Sequence, residues 1–295
     1  MLGVTWPAVE GDPRLRVVDI DTREVVHMDL RGARLGFEAM GPQRWCTGRV
    51  AFRKGAGSEY VPCPEQMPVD VGSQCEACES KDPFRFVHTV HRGGFVSREL
   101  ESHVMQPHWL YIATFASGVH KVGTAADTRK WGRLAEQGAI CAQYVAWAAD
   151  GKVVRVLEDR VTEKMQVRQA VRSSAKAASL ALPIDTRRLG EATAALADRV
   201  RQTLAPATDE AAYRTVSESW EVAGFRDLAD GNRLAYPCEL HTGTHGFTID
   251  ACIGQAAVVE VDFHSYVVDL HELKGRRVQF GDHESQLPAV QSALF

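Results

Sequence analysis

"WLYIATFASGVHKVGT", Trp109 to Thr124, is the stretch that decides the fold. Two short apolar runs flank Ala116-Ser117-Gly118, so the pattern is strand, tight turn, strand. The period then changes. "DTRKWGRLAEQG" (127–138) has the mixed apolar and cationic spacing of a helix and stops at a glycine. "AICAQYVAWAA" (139–149) is apolar enough for another strand. After an Asp150-Gly151 turn, "KVVRVLEDRVTEKM" (152–165) sets Val153 or Val154, Leu157 and Val161 on one helical side. The spacing predicts a small sheet with both helices on one face, the second helix continuing to Ser179. "LPIDTRRLGEATAALADRVRQTL" (182–204) adds an amphipathic helix capped by Asp185 or Thr186.

Working outward, "RLRVVDID" (14–21) and "EVVHMDL" (24–30) alternate apolar and polar side chains around a turn at Asp21-Thr22-Arg23, which reads as an antiparallel pair. Beyond residue 206, "RLAYPCEL", "GFTIDACIG", "QAAVVEVDF", "SYVVDLHEL" and "RRVQF" read as short strands of a small closed or nearly closed β module. The fold class is therefore α+β, in three parts. These are an N-terminal β and cysteine-rich region (1–107), a central small antiparallel sheet with helices (108–205) and a C-terminal β module (206–295).

Between Cys46 and Pro107 the apolar period is lost, so something other than an apolar core must order the chain. Cys46, Cys63, Cys75 and Cys78 lie there, the last two in a C-x-x-C pair. Four thiolates closing on a structural zinc ion would supply the missing core, with His88 or His91 as alternatives to one of them. The competing readings are unrelated cysteines, or a redox pair at Cys75 and Cys78, for which the surrounding βαβ pattern is missing. Cys141, Cys238 and Cys252 sit in apolar runs and read as core.

With 295 residues, 45% of them hydrophobic, the chain can bury a good core, and no apolar run approaches the length of a membrane span. The opening residues lack a basic leader, so the expectation is a cytoplasmic protein with no membrane partner, its seven cysteines serving as thiols or ligands. The net charge of -4 excludes an indiscriminate polycation. Charge is nevertheless gathered locally. From Lys121 to Lys176 there are eleven Lys and Arg against six Asp and Glu, a surplus of five that leaves the rest of the chain at -9.

Phosphodiester chemistry needs a group to activate water, a metal to offset developing charge and a cation to hold the phosphate. Tyr111, Lys121, Gly123, Arg133 and Glu158 are set within this unit where they can converge. Arg129 and Lys130 open the first helix as further phosphate ligands. Arg160, Lys164, Arg168 and Arg172 recur every four residues, which would line one helix face as a rail for a phosphate backbone. Trp131, Tyr144 and Trp147 are candidates to stack on unpaired bases. The plainer readings are a packed tyrosine, surface ion pairs at Arg133 and Glu158, and structural roles for His108 and His120.

"LYIATF...KVGT...RL...E" resembles the GIY-YIG nuclease superfamily, in the branch where "KVG" stands for "YIG". "LYIA...HKVGTAADTRKWGRLAEQGA", with "CTGR...PC...CEAC...MQPH" before it and "CIGQAAVVEV...YVVDLHELKGRRV" after it, is similar to an uncharacterised bacterial family. In that family a cysteine-rich, zinc-binding region precedes a GIY-YIG-like unit. The likeness runs from about Arg44 to Phe280. It implies that Tyr111 activates or orients water, that Lys121 replaces the second tyrosine, that Gly123 permits close backbone approach, that Arg133 grips the phosphate and that Glu158 binds Mg or Mn. Departures are Trp109 at the first glycine position and the missing second tyrosine, with Gln169 as the nearest match to a late polar residue. The expected function is a zinc-containing, divalent-metal-dependent phosphodiesterase acting on DNA or RNA. The alternatives are a catalytically silent nucleic-acid-binding module and a scaffold recruited to small-molecule chemistry.

Overall fold

The computed structural model describes residues 1–7, 11–53, 57–86, 93, 98–205, 212–222 and 233–288. It is a mixed α+β structure with several small sheets and, among the described residues, six α-helices. His88 and His91 lie outside the described residues.

The first strands, β1 (Gly3–Thr5), β2 (Arg14–Val18) and β3 (Val25–Asp29), form an antiparallel sheet in that order. β4 (Arg34–Ala39) leaves it and pairs with a distant strand. The cysteine-rich region contains one hairpin, β5 (Arg49–Arg53) with β6 (Gly57–Val61), and two short helices, α1 (Glu76–Glu79) and α2 (Arg98–Val104).

The central sheet is built from β7 (His108–Thr114), β8 (His120–Ala126), β9 (Cys141–Ala148) and β10 (Tyr213–Glu221), all antiparallel in the order β10-β9-β7-β8. Strand alternation sorts its side chains. Leu110, Ile112, Val122 and Val145 bury against α4 (Gly151–Met165) and α6 (Thr186–Leu204). Tyr111, Ala113 and Tyr144 face the other way, toward α3 (Lys130–Gln137) and α5 (Ser173–Leu180). The expectation that α3 and α4 share one face is therefore corrected: they pack on opposite faces, because Leu134 of α3 joins the Tyr111 side while Val154, Leu157 and Val161 of α4 join the Leu110 side.

Capping explains where the helices begin and end. The Asp150 carboxylate accepts from Lys152 N and Val153 N, and that of Asp185 from Arg188 N, satisfying backbone donors at the starts of α4 and α6. At the other end α4 stops at Gln166, which is left-handed (φ 56°). The helix does not run on to Ser179. Val167 turns into the core, and the Arg168 carbonyl accepts from Val122 N at 3.0 Å, so residues 166–172 lie along the β8 edge instead.

The last body is a six-stranded sheet, order β11-β14-β13-β12-β4-β15, made of β11 (Leu234–Ala235), β12 (Thr244–Ile253), β13 (Ala256–Val261), β14 (His264–Asp269) and β15 (Val278–Phe280) together with β4. Two boundaries drawn from the sequence move. β4, from the first fifty residues, is an inner strand of this sheet, and β10, beyond residue 205, belongs to the central one. One face of the six-stranded sheet buries Phe37, Phe247, Val259 and Val268 with Leu15 and Val17 of the first sheet. Its other face gives Val258 and Val267 to the core around Tyr111.

Candidate functional site

The site forms where β8, the outermost strand of the central sheet on that side, meets α3, α4 and α5. Tyr111 on β7 stands directly across from Gly123 on β8. A Cβ at position 123 would lie 2.6 Å from the Tyr111 hydroxyl and 2.7 Å from its Cζ, so glycine is the residue that leaves room for the phenol. Tyr111 is 1% exposed, and burial pushes its pKa up to about 12, a rise opposed by Arg133 and increased by Glu158. The phenol is thus protonated at neutral pH and has Arg133 and Glu158 as charged neighbours.

Lys121 lies two residues before Gly123, on the same face of β8. It is 8% exposed, and its Nζ donates to Gln137 Oε1 at 2.8 Å. Burial, then Arg133, Lys176 and Arg155, lower its pKa to about 8 against a smaller opposing pull from Glu158. Glu158, 4% exposed on α4, accepts from Arg155 Nη1 at 2.6 Å. Desolvation holds its pKa above the usual carboxylate range while Arg155 and Lys121 oppose the rise. Although α4 packs on the far face, Glu158 and Arg155 thus share an electrostatic neighbourhood with Lys121 and Tyr111. Tyr111, Lys121, Arg133 and Glu158, drawn from four elements, are brought together.

Three members of the cluster escaped the sequence reading. Arg155 sits three residues before Glu158, where an ordinary helical ion pair was the plainer meaning. Gln137 carries no charge. Lys176 comes from α5, in the stretch assigned to a continuous α4, and its Nζ donates to the Gln137 carbonyl at 2.7 Å. Lys121 has Arg133, Arg155 and Lys176 as cationic neighbours, with Glu158 beside Lys121 and Arg155 and Asp269 beside Lys176. Arg129 and Arg133 share another carboxylate, Glu136, farther out.

Other candidates fall elsewhere. Lys130 does not face this cluster. Its Nζ lies 3.5 Å from the Trp109 ring centroid, 4.7 Å from that of Tyr144 and 5.3 Å from that of Trp131, and it pairs with Glu218 at 2.5 Å. It fills an aromatic box that pins the start of α3 to the sheet. Arg129 is committed to Glu136. Arg168 and Arg172 are exposed, but the helical rail is absent, since the chain between them is not helical; Arg168 is instead brought beside Lys121 by its backbone bond to Val122. Tyr144 is a core residue whose hydroxyl donates to the Lys130 carbonyl. Trp147 packs under Arg214, and Trp131 is 37% exposed. His120 Nδ1 is 2.8 Å from Thr114 Oγ1, and His108 Nδ1 is 2.7 Å from the Gln106 carbonyl. Gln169 binds Asp159 and Thr162 on α4 rather than the cluster. Cys141 and Cys252 are buried, whereas Cys238 is only half-buried.

A second centre lies in the cysteine-rich region. The Sγ atoms of Cys46, Cys63, Cys75 and Cys78 all lie within 4.8 Å of one another, with 3.9 Å between those of Cys63 and Cys75. Four sulfurs about 2.3 Å from a central ion would sit roughly 3.8 Å apart, so the group is able to hold a metal ion. Cys46 Sγ accepts from Gly48 N at 3.4 Å and Cys75 N at 3.1 Å, donors that favour a thiolate. Burial pushes the Cys78 thiol up, with neighbouring cysteines adding to the rise.

Residues 85–225 match a family described as "Protein of unknown function (DUF2797)". No curated protein and no solved structure matches. The family's residues include β7 to β10 and every member of the charged cluster, but begin after the four cysteines, a narrower extent than Arg44 to Phe280. Among the described residues, no helix is long and apolar enough to cross a membrane.

Proposed function

We propose that the cluster around Tyr111 binds the phosphate backbone of DNA or RNA. The observation that carries this reading is the charge imbalance of a partly buried site, in which five cations, Lys121, Arg129, Arg133, Arg155 and Lys176, meet three carboxylates, Glu136, Glu158 and Asp269. Burying like charges together is unfavourable unless a ligand of opposite charge joins them, and a phosphodiester supplies both charge and acceptor oxygens. Arg133 and Lys121 are the phosphate ligands, and Arg168, exposed beside the β8 edge, extends the cationic track. With pKa values of about 8, both lysines are mostly charged at pH 7, the state that binds phosphate. The four cysteines hold a structural zinc ion, the metal whose preferred ligands and geometry fit four close thiolates.

Metal-dependent phosphodiester cleavage is the second reading, favoured by a Tyr111 phenol that has both Arg133 and Glu158 as charged neighbours. The residues do not fit a resident Mg or Mn. Glu158 already accepts from Arg155, and among the described residues the four cysteines are the one group of three or more potential ligands. Binding is therefore the reading the geometry supports best, with cleavage as an added property.

The deciding experiment compares wild type with Glu158→Gln for binding and cleavage of labelled single- and double-stranded DNA and RNA, with and without Mg or Mn. The binding reading predicts that the variant keeps or raises affinity, because a negative charge opposing the phosphate is gone. A cleavage role predicts lost hydrolysis with binding kept. Failure of the wild type to bind any of these nucleic acids sinks both.

A further inference from the structure

Lys176 is held in place from three directions. Its Nζ donates to the carbonyl of Gln137, the same residue whose side-chain Oε1 accepts a hydrogen bond from Lys121 Nζ. The Phe115 ring lies 4.5 Å below it. Its helix, α5, is fastened to the six-stranded sheet by Ser173 Oγ, which donates to Asp269 Oδ1 at 3.1 Å, and by Ala177 and Leu180 packing with Val258 and Val267.

Gln137 is held from that sheet too. It is followed by Gly138, left-handed at φ 70°, which lies against the β12–β13 turn so closely that a Cβ on Gly254 would stand 2.7 Å from Gly138 Cα. The central sheet supplies Lys121, but the six-stranded sheet sets the position of the residue that orients both lysines.

Charge decides what such a pair is for. Burial, and the nearby like charges Arg133 and Lys121, raise the energy of the Lys176 ammonium, and among the described residues no carboxylate bonds its Nζ; the Asp269 carboxylate, which opposes them from nearby, accepts from Ser173 and from the backbone N–H of His271. With Arg129 counted beside Arg133, five cations face Glu136, Glu158 and Asp269, which leaves a surplus of two. One phosphodiester, carrying a single negative charge, leaves one of those unmatched.

We propose that Lys176 binds a second phosphate on the same strand, consecutive with the phosphate held by Lys121 and Arg133, and that Gln137 is the positioning residue that spaces the two lysines. This rests on the nucleic-acid reading above. The ligand class is a flexible single strand presenting at least two consecutive phosphodiesters, since both must turn into one partly buried site.

The test is equilibrium binding of two thymidine oligonucleotides without terminal phosphates, a dinucleotide with one phosphodiester and a trinucleotide with two. Wild type, Arg133→Ala, Lys176→Ala, Lys176→Arg and Gln137→Ala are compared over a range of salt. Wild type prefers the trinucleotide by about tenfold, the effect of one charge-assisted contact. Lys176→Ala removes that preference and lowers the salt slope for the trinucleotide by about 0.7, the share of one single-strand phosphate contact. Lys176→Arg restores both, and Gln137→Ala weakens the preference without changing the fold by circular dichroism.

If Arg133→Ala loses binding but Lys176→Ala keeps the wild-type preference and slope, this inference is wrong while the functional reading stands. Equal loss of both oligonucleotides in Lys176→Ala also overturns it, since Lys176 would then serve the first phosphate. No binding of either by wild type overturns the functional reading and this one with it.

Discussion

Tyr111 and Gly123 face each other across the β7–β8 pair so closely that position 123 has no room for a methyl group: a Cβ there would approach the phenol oxygen to 2.6 Å. The absent side chain on one strand is what allows a full tyrosine to lie flat in the interior on the other. Because the obstacle is a packed ring, Gly123→Ala should lower stability by about 1–3 kcal/mol in urea denaturation, the usual range for overpacking. Combining it with Tyr111→Leu should recover much of that loss, with a coupling of at least 0.5 kcal/mol expected for residues in contact. Additive losses would mean that the two side chains do not share the space.

The aromatic box around Lys130 leads to a separation of roles. Lys130→Met keeps the aliphatic stem but removes the cation from the Trp109 and Tyr144 rings and from Glu218, so stability should fall by about 1–3 kcal/mol. The salt slope of oligonucleotide binding should stay at the wild-type value, because this lysine points into the protein. A lower slope would return Lys130 to the phosphate-binding surface.

These two residues show what the sequence could and could not reveal. β7, β8 and β9 were legible because strand alternation is local and Gly118 and the Asp150-Gly151 pair mark the turns. The convergence of Tyr111, Lys121, Arg133 and Glu158 was also legible, as a motif. The face on which each helix packs was not, since that depends on which apolar stripe meets which side of the sheet. The break after Met165 was hidden for a related reason: the arginines recur at helical spacing, yet burial of Val167 and the backbone bond from Val122 to Arg168 outweigh helix propensity. The insertion of β4 between β12 and β15 joins residues some two hundred positions apart, a non-local pairing on which local pattern is silent.

The four cysteines should carry one zinc ion per chain by elemental analysis. Removing it with a chelator, or replacing Cys63 with Ser, should lower Tm and open the β5–β6 hairpin to proteolysis, since ligation stands in for an apolar core there. A metal-free protein with unchanged Tm would show that the thiols are merely packed.

The lysine pair predicts a pH dependence with a definite sign. In the folded protein Lys121 and Lys176 titrate at about 8, below the 10.5 of an unperturbed lysine, because burial and neighbouring cations disfavour their charged forms. Oligonucleotide affinity should be full at pH 7 and fall as pH rises through 8. Without ligand the sign reverses. Between about pH 8 and 10.5 the unfolded chain binds more protons, so stability should rise with pH, by at most about 1.4 kcal/mol per unit for Lys121. Lys121→Met, compared with wild type in the same buffers to cancel cysteine titration, should remove the Lys121 share of that rise and leave that of Lys176. Parallel stability curves for the two proteins would contradict it.

Arg133 gives the most direct test of the central claim, that the β8 edge is an anion site for nucleic acid. Fluorescence anisotropy of a labelled single-stranded oligonucleotide, at fixed salt and pH 7, should show tight binding to wild type and at least a tenfold loss in Arg133→Ala, with Tm unchanged. Equal affinity of the two proteins would contradict the account.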